Sequence, residues 1–343
     1  MATTTRSGMR RAAPLRDSQP FGHARKWVAG HGNGCCASRD AAVPQGDPSR
    51  RERMSPGQRD WSEGTEEERS VADLYAGLTE LVSVKGSERL SIHRGLWGPD
   101  TETDAEGLDR AKRTLVQGCH LGPGQHVLDA GCGVGGTAIF LAETHGVRVT
   151  GLTNCEPQVA VARRFAHERG VADLVEFKYG DFMELPFPDA TLDVVLNHES
   201  LCYAVDKLAY LQGVYRVLKP GGRWQSLDAE LAIRNGPLPE RHDALLAALE
   251  WNWRLPPYRS WRDVLSMVEE AGFTTIEAQD LTSEALPSTD RIRRRYLLLS
   301  FLNPQIRDIN PAFQEAMDGS VCFADGLSEG LFKYRLISAT RPT

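Results

Sequence analysis

The sequence predicts an α/β fold: a mainly parallel sheet with helices on both faces, a helical lid ahead of it and a lid insertion within it. Three observations carry this. Short apolar runs alternate with stretches of helical periodicity from about residue 120 onward. A glycine turn, Gly131-Cys132-Gly133, separates the first apolar run from the first core helix. Lys219-Pro220-Gly221-Gly222 is a stop-and-turn signal ahead of a later run.

The elements follow in order. Residues 68–84 place Val71, Leu74, Tyr75, Leu78 and Leu81 on one helical face. Ser91 to Gly98 is a glycine-containing segment with an exposed-looking Trp97, and a second helix is expected at 104–118. Together they form an N-terminal helical lid over residues 66–120. Strands are expected at 126–130, 147–152, 174–178, 192–197 and 222–228, with helices at 135–144, 156–169 and 206–218 between them. Residues 230–260, rich in Pro and Trp, read as an insertion in the domain 121–343. A helix at 261–271, a strand at 274–280, a helix capped by Ser288-Thr289-Asp290 and running to Leu302, and a final strand at 331–339 that forms an antiparallel edge hairpin complete the chain.

Composition narrows the function classes. The chain has 343 residues, 41% hydrophobic and 25% charged, as in ordinary globular proteins. A net charge of −6 gives no general attraction to nucleic acid. No apolar run is long enough to span a membrane. Seven cysteines without Cys-x-x-Cys pairs point to reduced thiols and a cytoplasmic compartment. Residues 1–65 are rich in Arg, Gly, Ser and Pro without apolar periodicity and read as a disordered extension. An organelle transit peptide, and a true start at Met54, are the other readings of that stretch.

The run from His126 to Thr137 resembles the S-adenosylmethionine loop of class I methyltransferases, and the likeness extends over about residues 70–340. The resemblance implies a Rossmann-like seven-stranded sheet. It also implies a site in which Asp129, Gly131, Cys132 and Gly133 meet the methionyl end of the cofactor. Gly151-Leu152-Thr153-Asn154-Cys155-Glu156-Pro157-Gln158 carries no acid at the strand tip. It resembles the Gly-x-Thr-x-Ser-x-x-Gln variant of sterol, tocopherol and prenyl diphosphate methyltransferases, which assigns the ribose to Thr153, Asn154 and Gln158. Glu156 equally suits a helix N-terminus. Asp181 and Phe182 fit the family's adenine acid and its apolar neighbour, or alternatively a turn Asp and a core Phe.

Asn197-His198-Glu199-Ser200 ends the fourth strand and resembles geranyl diphosphate C-methyltransferases. Asn197 is grouped with the cofactor residues. The resemblance favours a small-molecule acceptor methylated on carbon, an isoprenoid alkene such as a prenyl diphosphate or a sterol-like molecule. Attack by an alkene carbon leaves a tertiary carbocation, which wants a negative charge nearby and a base for its proton. Glu199 can serve as both. Aromatic faces favour a cation as well, so Trp97, Tyr203, Trp251, Trp253 and Tyr258 are candidates around the pocket, and Tyr203 joins Glu199 in the catalytic set. His198 is the rival base, suited to O- or N-methylation of a hydroxyl, sugar or amine. Arg254, Arg259, Arg262 and the run Arg291 to Arg295 are candidate anchors for a diphosphate. No two-carboxylate metal motif is visible, so Mg²⁺ enters only with a diphosphate acceptor. A homo-oligomer and a non-catalytic cofactor-binding module stay open at this stage.

Overall fold

The apolar run His126–Ala130 forms β1 and lies inside the sheet. The computed structural model describes residues 70–84, 91–232, 236–303, 305 and 310–343. The expected extension, with Cys35, Cys36 and Met54, lies outside the described residues. Beside β1 run β2 (Arg148–Thr153) and β4 (Leu192–His198). With β3 (Val175–Tyr179), β5 (Leu218–Leu231), β6 (Thr274–Asp280) and β7 (Phe332–Thr340) they make a seven-stranded sheet in the order β3-β2-β1-β4-β5-β7-β6. Neighbouring strands among β1 to β5 pair in parallel, and β7 runs antiparallel to both β5 and β6.

Strand alternation splits the core into two layers. On β1, Val127 joins the cluster packed by α3 (Gly136–His145) and α4 (Glu156–Glu168). Leu128 and Ala130 face the other cluster, packed by α5 (Lys207–Val217) and α7 (Trp261–Glu270). Local chemistry sets the helix starts. The Asp206 side chain accepts the Ala209 N–H at the head of α5, and Ser260 with Asp263 makes a capping box at the head of α7. Helix α2 (Asp104–Leu115) opens on a capping box of Thr103 and Glu106.

The remaining helices are α1 (Val71–Val84), α6 (Glu240–Trp253), α8 (Thr282–Leu302) and α9 (Pro311–Ser328). α9 packs along α1, α6 and α8. The structure revises the sequence reading here. The expected insertion holds α6, whose Leu245, Ala248 and Leu249 are buried. α8 begins six residues before its predicted cap. Ser288 instead accepts the Gly95 N–H at 3.0 Å, and Thr289 donates to Leu286 O at 2.9 Å, so both hydroxyls serve a helix already under way. α9 was not anticipated, because its glycines depress helical propensity. Gly319 is there for close approach: a Cβ would collide with the Trp253 ring of α6.

The five described cysteines are free thiols. No described helix is long and apolar enough to cross a membrane.

Asn197, near the end of β4, is fully buried. Its Oδ1 accepts the Tyr210 O–H at 2.8 Å and the Trp224 N–H at 2.9 Å, and its Nδ2 donates to Ser200 Oγ at 3.0 Å. Replacement by Leu would strand two buried donors, at about 1–3 kcal/mol each. Asn197→Leu is therefore expected to lower the unfolding free energy by about 2–4 kcal/mol, read from the urea midpoint. A loss under about 0.5 kcal/mol would show that the network carries little stability.

Candidate active site

The strand order reverses between β1 and β4, the place where open α/β sheets form a crevice at the carboxyl ends of their strands. A cavity of about 130 Å³ lies there. At one end it is bordered by Gly131, Cys132, Gly133, Thr153, Asn154, Gln158 and Phe182. At the other end stand Glu199, Tyr203, Trp253, Tyr258, Phe323 and Tyr334.

The glycine end is shaped by backbone. Gly131 and Cys132 both donate to Leu152 O at 2.9 Å, which pins the turn against the tip of β2. Gly131 has φ +81°, and a Cβ there would sit 2.5 Å from Ser200 Cβ, so only glycine fits. Thr153 Oγ1 donates to Gln158 Oε1 at 2.7 Å, joining the strand tip to the first turn of α4. Asp129 lies beneath the turn, buried, and accepts the Ala138 N–H at the start of α3. Its Oδ2 has no partner, and burial pushes its carboxyl up to about 7.

Glu199 follows β4 with φ +50°, a conformation side chains rarely adopt. Its Oε1 accepts the Arg94 backbone N–H at 2.6 Å and the Tyr334 O–H at 2.8 Å, and its Oε2 accepts from Arg94 Nη1 at 3.0 Å. The Arg94 guanidinium lies over the Phe323 ring at 4.8 Å and the Trp253 ring at 5.8 Å. Tyr203 Oη and Tyr75 Oη are 3.0 Å apart, linking α1 to the turn after β4. Burial raises both phenols well above their usual range.

The family model described as "Methyltransferase domain" matches residues 128–224. The chain is 32% identical over 210 residues to O-methyltransferase resE of Aspergillus sclerotiorum, covering 61% of this chain and 78% of the relative. It is 30% identical over 230 residues to cycloartenol-C-24-methyltransferase of Arabidopsis thaliana, covering 65% and 67%. Among solved structures, the [4+2]-cyclase SpnF superposes with a TM-score of 0.67 at 25% identity, over 80% of this chain and 96% of that one. The chain belongs to the class I S-adenosylmethionine-dependent methyltransferases.

The cofactor end suits this methyltransferase's cofactor. A Cβ at Gly133 would meet nothing within 4 Å, so the turn leaves open space; Asp129, with one unpartnered oxygen, is buried behind the turn and does not itself border the cavity. Other expected residues stand away from the cavity. Asp181 is exposed and accepts the Met183 N–H at 2.8 Å. Asn197 has both ends committed to the core. His198 turns away by strand alternation, with Nδ1 2.9 Å from Thr137 Oγ1 and its ring centre 3.9 Å from that of His93, the two rings tilted by 31°. Burial drives its pKa well down, with His93 adding to the effect. Trp97 lies under Arg291, Trp251 is 56% exposed, and Arg254 pairs with Glu315 at 2.5 Å. Arg293, Arg294 and Arg295 pair with Asp290 or Asp104.

The sequence reading missed Tyr75, His93, Arg94, Asp228, Phe323 and Tyr334, all of which border the cavity. One signal was available: Asp228 is an acid at the end of the strand expected at 222–228.

Asp129→Asn is expected to weaken S-adenosylmethionine binding about 10- to 100-fold by calorimetry, the scale of a charge-assisted hydrogen bond. A free-enzyme carboxyl near 7 must ionise before it holds an ammonium group. Wild-type affinity should therefore fall by up to about tenfold per unit as pH drops below about 7. The Asn variant should lack that slope.

Proposed function

We propose that this methyltransferase adds a methyl group to a carbon of an isoprenoid alkene, such as a prenyl diphosphate or a sterol-like molecule. One observation carries the reading: a carboxylate, Glu199, shares a largely apolar cavity with the ring faces of Tyr203, Trp253, Tyr258, Phe323 and Tyr334. An attacking alkene leaves positive charge on the neighbouring carbon. A fixed negative charge and aromatic faces in a water-poor chamber lower the energy of that charge. Similarity to a cycloartenol-C-24-methyltransferase supports transfer to carbon. At the other end, Asp129 and the glycine turn would hold the methionyl group of the cofactor, Thr153, Asn154 and Gln158 the ribose, and Phe182 the adenine. The cofactor supplies the electrophilic methyl; the chain orients it and excludes water.

Similarity to an O-methyltransferase favours a second reading, transfer to a hydroxyl. His198, the base expected for it, is walled off by His93. Among the described residues no three His, Cys, Asp or Glu side chains are grouped to hold a metal ion. In this reading Mg²⁺ accompanies the acceptor only when that acceptor is a diphosphate. Arg94 is then the arginine at the cavity wall, and the α8 arginines stand outside it.

Incubation with methyl-labelled S-adenosylmethionine and a panel of prenyl diphosphates, sterols, phenols and amines, read by mass spectrometry, tests the acceptor class. Glu199→Gln keeps size and hydrogen bonding but removes charge. Its turnover should fall about 10²–10⁴-fold with cofactor affinity nearly unchanged, while His198→Gln should lose far less. A product methylated on oxygen, or a nearly normal Glu199→Gln enzyme, would mean the chemistry is different.

A further inference from the structure

We propose that Asp228 takes the proton the acceptor loses, leaving Glu199 as a fixed negative charge. This rests on the C-methylation reading and divides between two carboxylates the tasks that one had been expected to perform.

Both acids border the same cavity, but their settings differ. Glu199 already receives an Arg94 amide, the Arg94 guanidinium and the Tyr334 hydroxyl. Three of its four lone pairs are taken, one of them by a guanidinium, and a proton there would cancel the charge that Arg94 pairs with. Asp228 has no charged donor: Oδ2 accepts the Cys202 N–H at 3.0 Å and Oδ1 the Ala229 N–H at 2.8 Å, and the neutral Cys202 thiol also hydrogen-bonds the carboxylate. Two amides fix its plane, and a lone pair stays open for a proton. Two carboxylates whose surroundings push them apart are the usual basis for distinct catalytic roles.

Asp228 also borders a second, smaller cavity of about 10 Å³, room for about one water. Lys207, Glu230 and Arg259 line it too. The side chain thus borders both the acceptor chamber and a small compartment that three further charged residues line. A proton collected on one side has a way out on the other.

The groups facing Asp228 set its charge. Burial raises its carboxyl to about 6; the Ala229 and Cys202 amides and Lys207 on α5 oppose the rise, and the charge of Glu199 adds to it. Glu230, two residues along β5, is raised well above the usual carboxyl range by burial and then by Asp228 itself. The Tyr258 and Tyr334 phenols, also raised chiefly by burial, stay neutral beside it. Arg94 faces the same cavity, but its guanidinium is tied to Glu199. Asp228 is therefore ionised at neutral pH yet basic enough to accept a proton.

The balance is simple. The C–H bond next to the cationic carbon breaks, its electron pair closes the new double bond, and the proton goes to an Asp228 oxygen. It then leaves through the smaller cavity to solvent.

Wild type, Asp228→Asn, Asp228→Glu and Glu199→Gln would be assayed with methyl-labelled S-adenosylmethionine and three probe acceptors: geranyl diphosphate, cycloartenol and a simple phenol. Turnover would be followed from about pH 5 to 9, with cofactor affinity and melting temperature as controls. Wild-type turnover should rise with pH through about 6. Asp228→Asn should lose about 10²–10⁴-fold in kcat and lose that limb, with cofactor affinity within about threefold. Asp228→Glu should keep the limb, displaced. A limb that survives in Asp228→Asn, or turnover within about threefold of wild type, overturns the assignment. A product methylated on oxygen refutes the C-methylation reading, and the same limb still judges Asp228. If no probe turns over, carboxyl ¹³C NMR decides. A midpoint near 6 that disappears in Asp228→Asn supports the proposal, and a midpoint below about 4.5 overturns it.

Discussion

The ion pair between Arg94 and Glu199 is the contact on which the aromatic end of the cavity depends. It joins three parts of the chain: the segment before α2, the end of β4, and β7 through Tyr334. Their side chains are almost out of water, 10% and 13% exposed. At such a site the desolvation of two charges is offset only by good geometry and further hydrogen bonds. Both are present, because Glu199 accepts three bonds and the guanidinium rests on Phe323 and Trp253. Breaking one partner would leave a buried charge alone, which makes the N-terminal segment an integral wall of the site.

The left-handed backbone of Glu199 is part of the same constraint. Along β4, Val195, Asn197 and His198 obey alternation: Asn197 reaches Tyr210 and Trp224 on one face, and His198 reaches Thr137 on the other. Glu199 breaks the pattern at φ +50° and turns its carboxylate into the chamber, while its own N–H still bonds Leu227 O at 2.9 Å. Such strain persists where surrounding contacts over-determine it, and here the Arg94 and Tyr334 bonds do so. Adjacent residues thus have different surroundings: His198 packs against His93, while Glu199 and Asp228 border the cavity.

Much of the glycine end of the cavity was legible in the sequence. Gly131, Cys132, Gly133, Thr153, Asn154, Gln158 and Phe182 come from short local motifs at strand ends, and the parallel sheet brings strand ends together automatically. The acceptor end was less legible. Glu199, Tyr203, Trp253 and Tyr258 reach the chamber, whereas Trp97, Trp251 and Arg254 do not, since which face of α6 or its neighbours turns inward depends on what packs against it. Arg94 and Tyr334 gave no signal, because their importance is a pairing across more than a hundred residues of chain.

Strand and helix periodicity, the glycine turn and the stop signal at Lys219 to Gly222 determined the α/β fold and the glycine-lined end of the cavity, because each acts over a few residues of backbone. The start of α8, the existence of α9 and the two settings of Glu199 and Asp228 were decided only by tertiary structure. Hydroxyl partners, ring-to-backbone approach and the burial of a charge are properties of residues far apart in sequence, and they come into being only when the sheet and its helical cover close around one cavity.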